Sequence, residues 1–306
     1  MPARILDPGE AAYQEAARVL RAGGLVAFPT ETVYGLGANA LDARAVARIF
    51  EAKGRPSDNP VIVHVPEASA ARSLARVWTP AADRLARAGW PGPLTLVVEK
   101  VESVPDIVTA GGPTVGLRVP DHPVAQALLR AADLPIAAPS ANRSEAVSPT
   151  TARHVADSLG PFVDDLIVLD GGPCTVGIES TVVDATGERP VVLRPGMFRL
   201  EEAAAGAGSG EPGADGPARS PGQRSRHYAP SKPLILVDRG ELASRRRDGD
   251  AVLELGEQPE VAARELYAEL RRLSDADGVE RILVERPPPD EAWAGIRDRL
   301  RRASSG

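Results

Sequence analysis

Eight short apolar runs, separated by stretches of helical periodicity, fill the first 200 residues: LVAF from Leu25, VIVHV from Val61, LTLVV from Leu94, VGLRV from Val115, PIAAPS from Pro135, LIVLD from Leu166, STVVD from Ser180 and VVLR from Val191. Short runs rich in Val, Ile and Leu are strand signals, and strands that alternate with helices dictate a sheet covered by helices. The last two runs lie close enough to form a hairpin, so the expected class is α/β with a sheet of mixed direction. Asp121, ahead of Pro123, is expected to cap one helix, and Ser148, ahead of Pro149, to open another that stops near Gly160.

From Glu201 to Arg219 the chain carries almost no large apolar side chain, which reads as a flexible linker. Beyond it, LILVD from Leu234, AVLEL from Ala251, a helical stretch over Val261 to Leu273, RILVE from Arg281 and a final helix from Asp290 make a second, small α/β unit. The expected division is a main domain over 1–200, a linker and lid over 201–231 and a C-terminal domain over 232–306. A unit this small is marginal as an independent core, so it is expected to dock on the first domain.

A hydrophobic content of 43% in 306 residues is ample for a buried core. No apolar run approaches the ~18 residues of a membrane span, and Met1 opens a polar segment without a signal-peptide pattern, so the cytoplasm is the expected location. The single cysteine, Cys174, permits neither an internal disulfide nor a cysteine metal cluster and reads as a small buried apolar residue. His64, His122, His154 and His227 are scattered without metal-ligand spacing, so no protein metal site is expected. A net charge of -6 argues against nucleic-acid binding through a broad basic surface. Any anion site must be local.

No GxxxxGKS loop occurs, which removes a P-loop nucleotidase. Gly35, Gly37 and Ala40 match a dinucleotide fingerprint only weakly, because the polar PTETVY insert separates them from the preceding strand; close turning into a helix is the expected role. What clusters instead is polar residues at strand ends. PTETVYGLG supplies Thr30, Thr32 and Tyr34. KGRPSDNP supplies Lys53, Arg55 and Asn59, GLRVPDHP places Arg118 in a strand, and APSANRSEAVSP supplies Ser140, Asn142 and Ser148. In open α/β sheets ligands sit in the crevice beyond strand ends, and hydroxyls and amides gathered there with Lys53, Arg55, Arg118 and Arg194 make an anion pocket. Prolines flanking these loops hold their donors in place before a ligand arrives. Arg118 and His64 lie inside apolar runs, where Arg118 needs a partner: a bound carboxylate, or an Asp or Glu of the protein. After the linker, SPGQRSRHYAP (Ser220 to Pro230) puts Arg224, Arg226, His227 and Tyr228 between prolines, richer in donors than a spacer needs. It reads as a lid.

PTETVYGLG, KGRPSDNP, PGPLTLVV, GLRVPDHP, APSANRSEAVSP, GIESTVVD, VLRPG and SPGQRSRHYAP, in that order, resemble the YrdC-domain threonylcarbamoyl-AMP synthases in their long form with an extra C-terminal domain. The resemblance implies a twisted α/β fold around a large electropositive cavity. It implies synthesis of threonylcarbamoyl-AMP and pyrophosphate from L-threonine, bicarbonate and ATP, towards threonylcarbamoyladenosine in tRNA. By motif, threonine would fall to Thr32, His64, Arg118, Ala138 and Ser180, with Arg118 meeting its carboxylate. ATP would fall to Arg55, Asn59, Thr114, Ser140, Asn142, Ser148, Arg194 and Tyr228. Lys53 and Arg55 would serve catalysis, with Mg²⁺ arriving on ATP and the product passing to downstream tRNA threonylcarbamoyl-transfer proteins. The lid departs from the family pattern, which has a Met and a Lys after its glycine; Arg224 keeps the positive charge. The C-terminal unit reads as shorter than the family's.

Two rival readings differ in class. A non-catalytic RNA-binding, translation-associated module would bind RNA tightly and salt-sensitively. A carbamoyl-transfer domain acting on carbamoyl phosphate would be expected beside zinc-finger and acyl-phosphatase units, which this sequence lacks. The acidic balance favours the synthase, with neither a membrane nor stable direct nucleic-acid binding expected.

Overall fold

The structure is a computed structural model that describes residues 3–200 and 227–304. In chain order the first part runs β1 (Arg4–Leu6), α1 (Glu10–Arg21), β2 (Val26–Phe28), β3 (Gly35–Asn39), α2 (Ala43–Lys53), β4 (Ile62–His64), α3 (Ala68–Ser73), α4 (Pro80–Gly89), β5 (Leu94–Glu99), β6 (Thr114–Arg118), α5 (Pro123–Ala132), β7 (Ile136–Ala137), α6 (Ala152–Leu159), β8 (Ile167–Leu169), β9 (Thr181–Asp184) and β10 (Val191–Arg194). These strands form one mixed sheet of ten in the order β1-β8-β2-β3-β7-β4-β6-β5-β9-β10. The last two are antiparallel, as the hairpin reading expects.

The pleat divides the core. Val26 and Phe28 of β2 point to one face, where they meet Ala16, Leu20 and Leu128 from α1 and α5. Ala27, between them, points to the other, with Val46, Ile49 and Leu85 from α2 and α4. Helices therefore cover both faces.

Several local expectations change. Gly35 and Gly37 do not turn into a helix: they lie in β3, antiparallel to β2. A Cβ at Gly37 would come within 2.7 Å of Ile136 Cγ2 and 2.9 Å of Phe28 Cε1, so glycine there serves strand packing and not a pyrophosphate. The cap of α5 is His122, one residue after Asp121; its Nδ1 accepts from Val124 N–H at 3.2 Å. The helix expected from Ser148 starts later, at Ala152, with Thr151 as cap. Ser148 is left for another purpose.

The C-terminal part comprises β11 (Leu234–Val237), α7 (Leu242–Arg245), β12 (Asp250–Leu253), α8 (Pro259–Asp275), β13 (Arg281–Glu285) and α9 (Ala294–Ala303). Its three strands are parallel in the order β11-β13-β12. Leu266, Leu270, Ile282 and Ile296 of this part share one apolar cluster with Val33, Val147 and Ile178 of the first. That shared cluster is the docking expected of so small a core.

Candidate active site

KGRPSDNP shows how the sequence builds one corner of the site. Asp42 caps α2, accepting from Arg44 N–H at 2.9 Å, and Gly54 ends the helix in the left-handed region at φ 58°. Arg55 then curls back, donating through Nη2 to Pro60 O at 2.8 Å and Asn59 O at 3.2 Å, which ties the proline-bounded turn to its own guanidinium.

A cavity lies beyond the ends of β2, β4, β6 and β10. Thr32, His64, Arg118, Ala138 and Ser180, all five residues assigned to threonine, line it together with Arg55, Ser140, Arg194 and Tyr228 from the ATP set. Three arginines against one carboxylate, Glu179, give it the positive character expected. His64 and Arg118 are register partners on the parallel strands β4 and β6, so they reach the cavity side by side. Burial, then the Arg118 charge, lowers the His64 imidazole to about 3; burial lowers His227 to about 3 as well. Both rings are neutral near pH 7, and Nδ1 of each has no hydrogen-bond partner among the described residues.

Arg118 has protein partners. Its Nη2 meets Glu31 Oε1 at 2.5 Å, Nη1 donates to Thr32 Oγ1 at 2.8 Å and Nε to Gly92 O at 3.3 Å. Of the two partners left open by sequence, an acid of the protein, Glu31, takes one arm of the guanidinium here. On the opposite wall, Ser180 Oγ pairs with Thr95 Oγ1 at 2.8 Å, and Arg194 donates through Nε and Nη2 to Ser180 O at 3.1 and 2.9 Å.

Five assigned residues are not on the lining. Thr114 opens β6, opposite Glu99, four residues and so about 13 Å along the strand from Arg118. Asn59 is buried in its turn. Asn142 donates through Nδ2 to Arg143 O and Ala146 O at 2.9 and 2.7 Å. Ser148 donates to Glu179 at 2.5 Å. Lys53 is 2% exposed and donates to Ser140 O at 2.5 Å and to Asn142 O, fastening the end of α2 to the 140–142 loop. Burial, then Arg55 and Arg143, lowers its ammonium well below the ordinary range. Lys53 thus faces carbonyls of the protein rather than lining the cavity. It is a buried tie.

Of the lid, Ser220 to Arg226 and the linker over 201–219 lie outside the described residues. His227 and Tyr228 line the cavity, ring centroids 4.0 Å apart, and Ala229 N–H donates to Glu145 O at 2.8 Å. Reasoning from sequence missed Glu31 and Glu179. PTETVY and GIESTVVD do show them, each beside an assigned residue, and the demand of Arg118 for a partner pointed to the first.

A family model described as "Telomere recombination", for the Sua5/YciO/YrdC group, matches residues 18–196, and one described as "Threonylcarbamoyl-AMP synthase, C-terminal domain" matches 192–305. The second match shows that the tail resembles the family's C-terminal domain. A threonylcarbamoyl-AMP synthase of Pyrococcus abyssi is 43% identical over 94% of this chain and 93% of its own length. One of Bacillus subtilis is 40% identical over 98% and 95%. A crystal structure of P. abyssi Sua5 with L-threonine superposes with a TM-score of 0.89 at 38% identity, covering 99% of this chain and 98% of that one. On this double match along its whole length, the chain belongs to the threonylcarbamoyl-AMP synthase family in its two-part form.

Proposed function

We propose that this chain joins L-threonine, bicarbonate and ATP into threonylcarbamoyl-AMP and pyrophosphate. The observation that carries the proposal is one cavity in which residues from seven separate sequence motifs converge as a set of fixed cations and hydroxyls. The threonine amine and bicarbonate give a carbamate with loss of water; a carbamate oxygen attacks the α-phosphorus, and the bond to pyrophosphate breaks. No nucleophile of the protein is needed. The chemistry asks for positioning and positive charge, which Arg55 and Arg194 supply from the cavity lining.

Threonine would lie against Thr32, His64, Ala138 and Ser180, with its carboxylate sharing the Arg118 fork with Glu31. A neutral His64 ring places no second cation beside Arg118. ATP would lie along Arg55, Ser140, Arg194 and Tyr228, while Lys53, Asn142 and Ser148 fix that wall from behind. Asn59 braces the Arg55 turn, and Thr114 is the assigned residue for which the geometry offers no contact at this end of β6. Glu179 is engaged by three side-chain donors and Glu31 holds Arg118, so Mg²⁺ would be carried by the nucleotide's phosphates and water rather than by a protein cage. Carbamates decompose readily in water, which gives the His227–Tyr228 cover a use. No helix among the described residues is long and apolar enough to cross a membrane. The reaction belongs in the cytoplasm, ahead of the proteins that transfer the threonylcarbamoyl group to tRNA.

Pyrophosphate release from ATP is expected to require both L-threonine and bicarbonate, with label from bicarbonate recovered in an AMP ester. Release at an undiminished rate without threonine would overturn the proposal.

A further inference from the structure

One carboxylate of the cavity wall is shared between the two parts of the chain. Glu179 accepts from Ser148 Oγ at 2.5 Å within the first part, from Tyr267 O–H of α8 at 2.9 Å and from Arg299 Nε of α9 at 2.9 Å. Arg299 also donates to Glu179 O at 3.0 Å and Pro195 O at 2.7 Å, and it is 1% exposed. The same two side chains grip the cover. The Tyr267 ring stacks on that of Tyr228 at 5.8 Å and 27°, and the Arg299 guanidinium lies 5.4 Å over it.

Two further observations say that these contacts hold something in place. Tyr228 sits at φ 61°, the left-handed region, which a bulky residue occupies only where its surroundings over-determine it. Burial alone would raise the Glu179 carboxyl, but Arg299, Arg194 and the donated hydrogen bonds hold it at about 2. An ionised carboxylate held by three side-chain donors is a poor proton acceptor. It is a good fixed anchor.

We infer that Tyr267 and Arg299 of the C-terminal part are positioning residues of the active site, acting through Glu179 on Ser148 and directly on the Tyr228 ring to set the nucleotide wall. The inference rests on the proposed function. Without α8 and α9, Glu179 would keep one side-chain donor in place of three and be free to turn towards Arg194, weakening the charge meant for phosphate. The C-terminal part is thereby a component of the catalytic machinery.

The test is steady-state kinetics on the full chain, well below its melting temperature. Absence of threonine-dependent pyrophosphate release by the unmodified protein would overturn the proposed function itself. Given that activity, Tyr267→Phe, which removes one oxygen and keeps the ring, is expected to raise KM for ATP about tenfold, the worth of a hydrogen bond to a charged group, and to leave KM for threonine within about twofold. Arg299→Lys, which keeps the charge and loses the fork, should show the same split more strongly. Arg272→Ala, in an exposed ion pair on the same helix as Tyr267, should change neither. An unchanged KM for ATP in Tyr267→Phe would refute the inference. So would a parallel loss of all kinetic constants that tracks a falling folded fraction. Should Arg299→Lys fail to fold, Tyr267→Phe alone decides.

Discussion

Lys53 is where a single side chain changes the expected experiment. A lining lysine could be truncated with little effect on stability; one that donates to two buried carbonyls from a site 2% exposed could not. Lys53→Ala is expected to cost about 2–4 kcal/mol in urea denaturation, from the lost side chain and the carbonyls left without a donor. A loss below about 1 kcal/mol would return the residue to the cavity surface. His64 and His227 make a second residue-scale case. An unfolded histidine takes up its proton near pH 6.5, whereas these folded rings do so only at about 3. Between those values the unfolded chain holds more protons, so this stability is complete above pH 6.5 and is lost as the pH falls towards 3. The loss is on the order of 1 kcal/mol per pH unit for each ring. Thermal melts should fall steadily over that window, and His227→Gln should flatten part of the slope. Equal melting temperatures at pH 6.5 and 4.5 would contradict the burial argument.

At the scale of elements, contact between the two parts is made where side chains are missing. Gly177, at φ 84°, faces the backbone of Ala263 and Arg264 in α8, which a Cβ would overlap. At the other seam a Cβ on Gly295 would come within 2.9 Å of Ile178 Cδ1 and 3.1 Å of Gly196 Cα. Gly177→Ala should therefore push α8 off Glu179, seen as faster hydrogen exchange in α8 together with an activity loss of tenfold or more. Gly187→Ala, with nothing within 4 Å of the added carbon, serves as control. Full activity and unchanged exchange in Gly177→Ala would show that the seam does not position the site. Elements also mark how far the sequence could be read. Each of the eight apolar runs contains or overlaps a strand, because burial on both faces writes an uninterrupted apolar signal. β1 and β3 were illegible for opposite reasons: RIL is a three-residue, largely exposed edge, and GLGAN trades side chains for close packing, so it reads as a turn.

For the whole molecule, the cavity was more legible than its support. Strand-end loops announce themselves through local clusters of hydroxyls and arginines, and nine of the residues assigned by motif line one cavity. Glu179 and Arg299 are 120 positions apart, and no local pattern ties a carboxylate in one part to a guanidinium in another. The same long reach predicts cooperative unfolding. Because Val33, Val147 and Ile178 share a core with α8 and α9, the full chain should melt in one urea transition, and a chain ending at Leu200 should lose pyrophosphate release. Two separate transitions, or an active truncated chain, would show the parts to be independent. Tyr228 gives this union a kinetic side. Its ring both joins the two parts and lines the cavity, so on the proposed placement of ATP a nucleotide that arrives or departs is expected to wait for that aromatic packing to loosen. The lifetime of a perishable mixed anhydride inside this protein is then governed by how fast that packing breathes, and cooling should slow its release far more steeply than it slows diffusion.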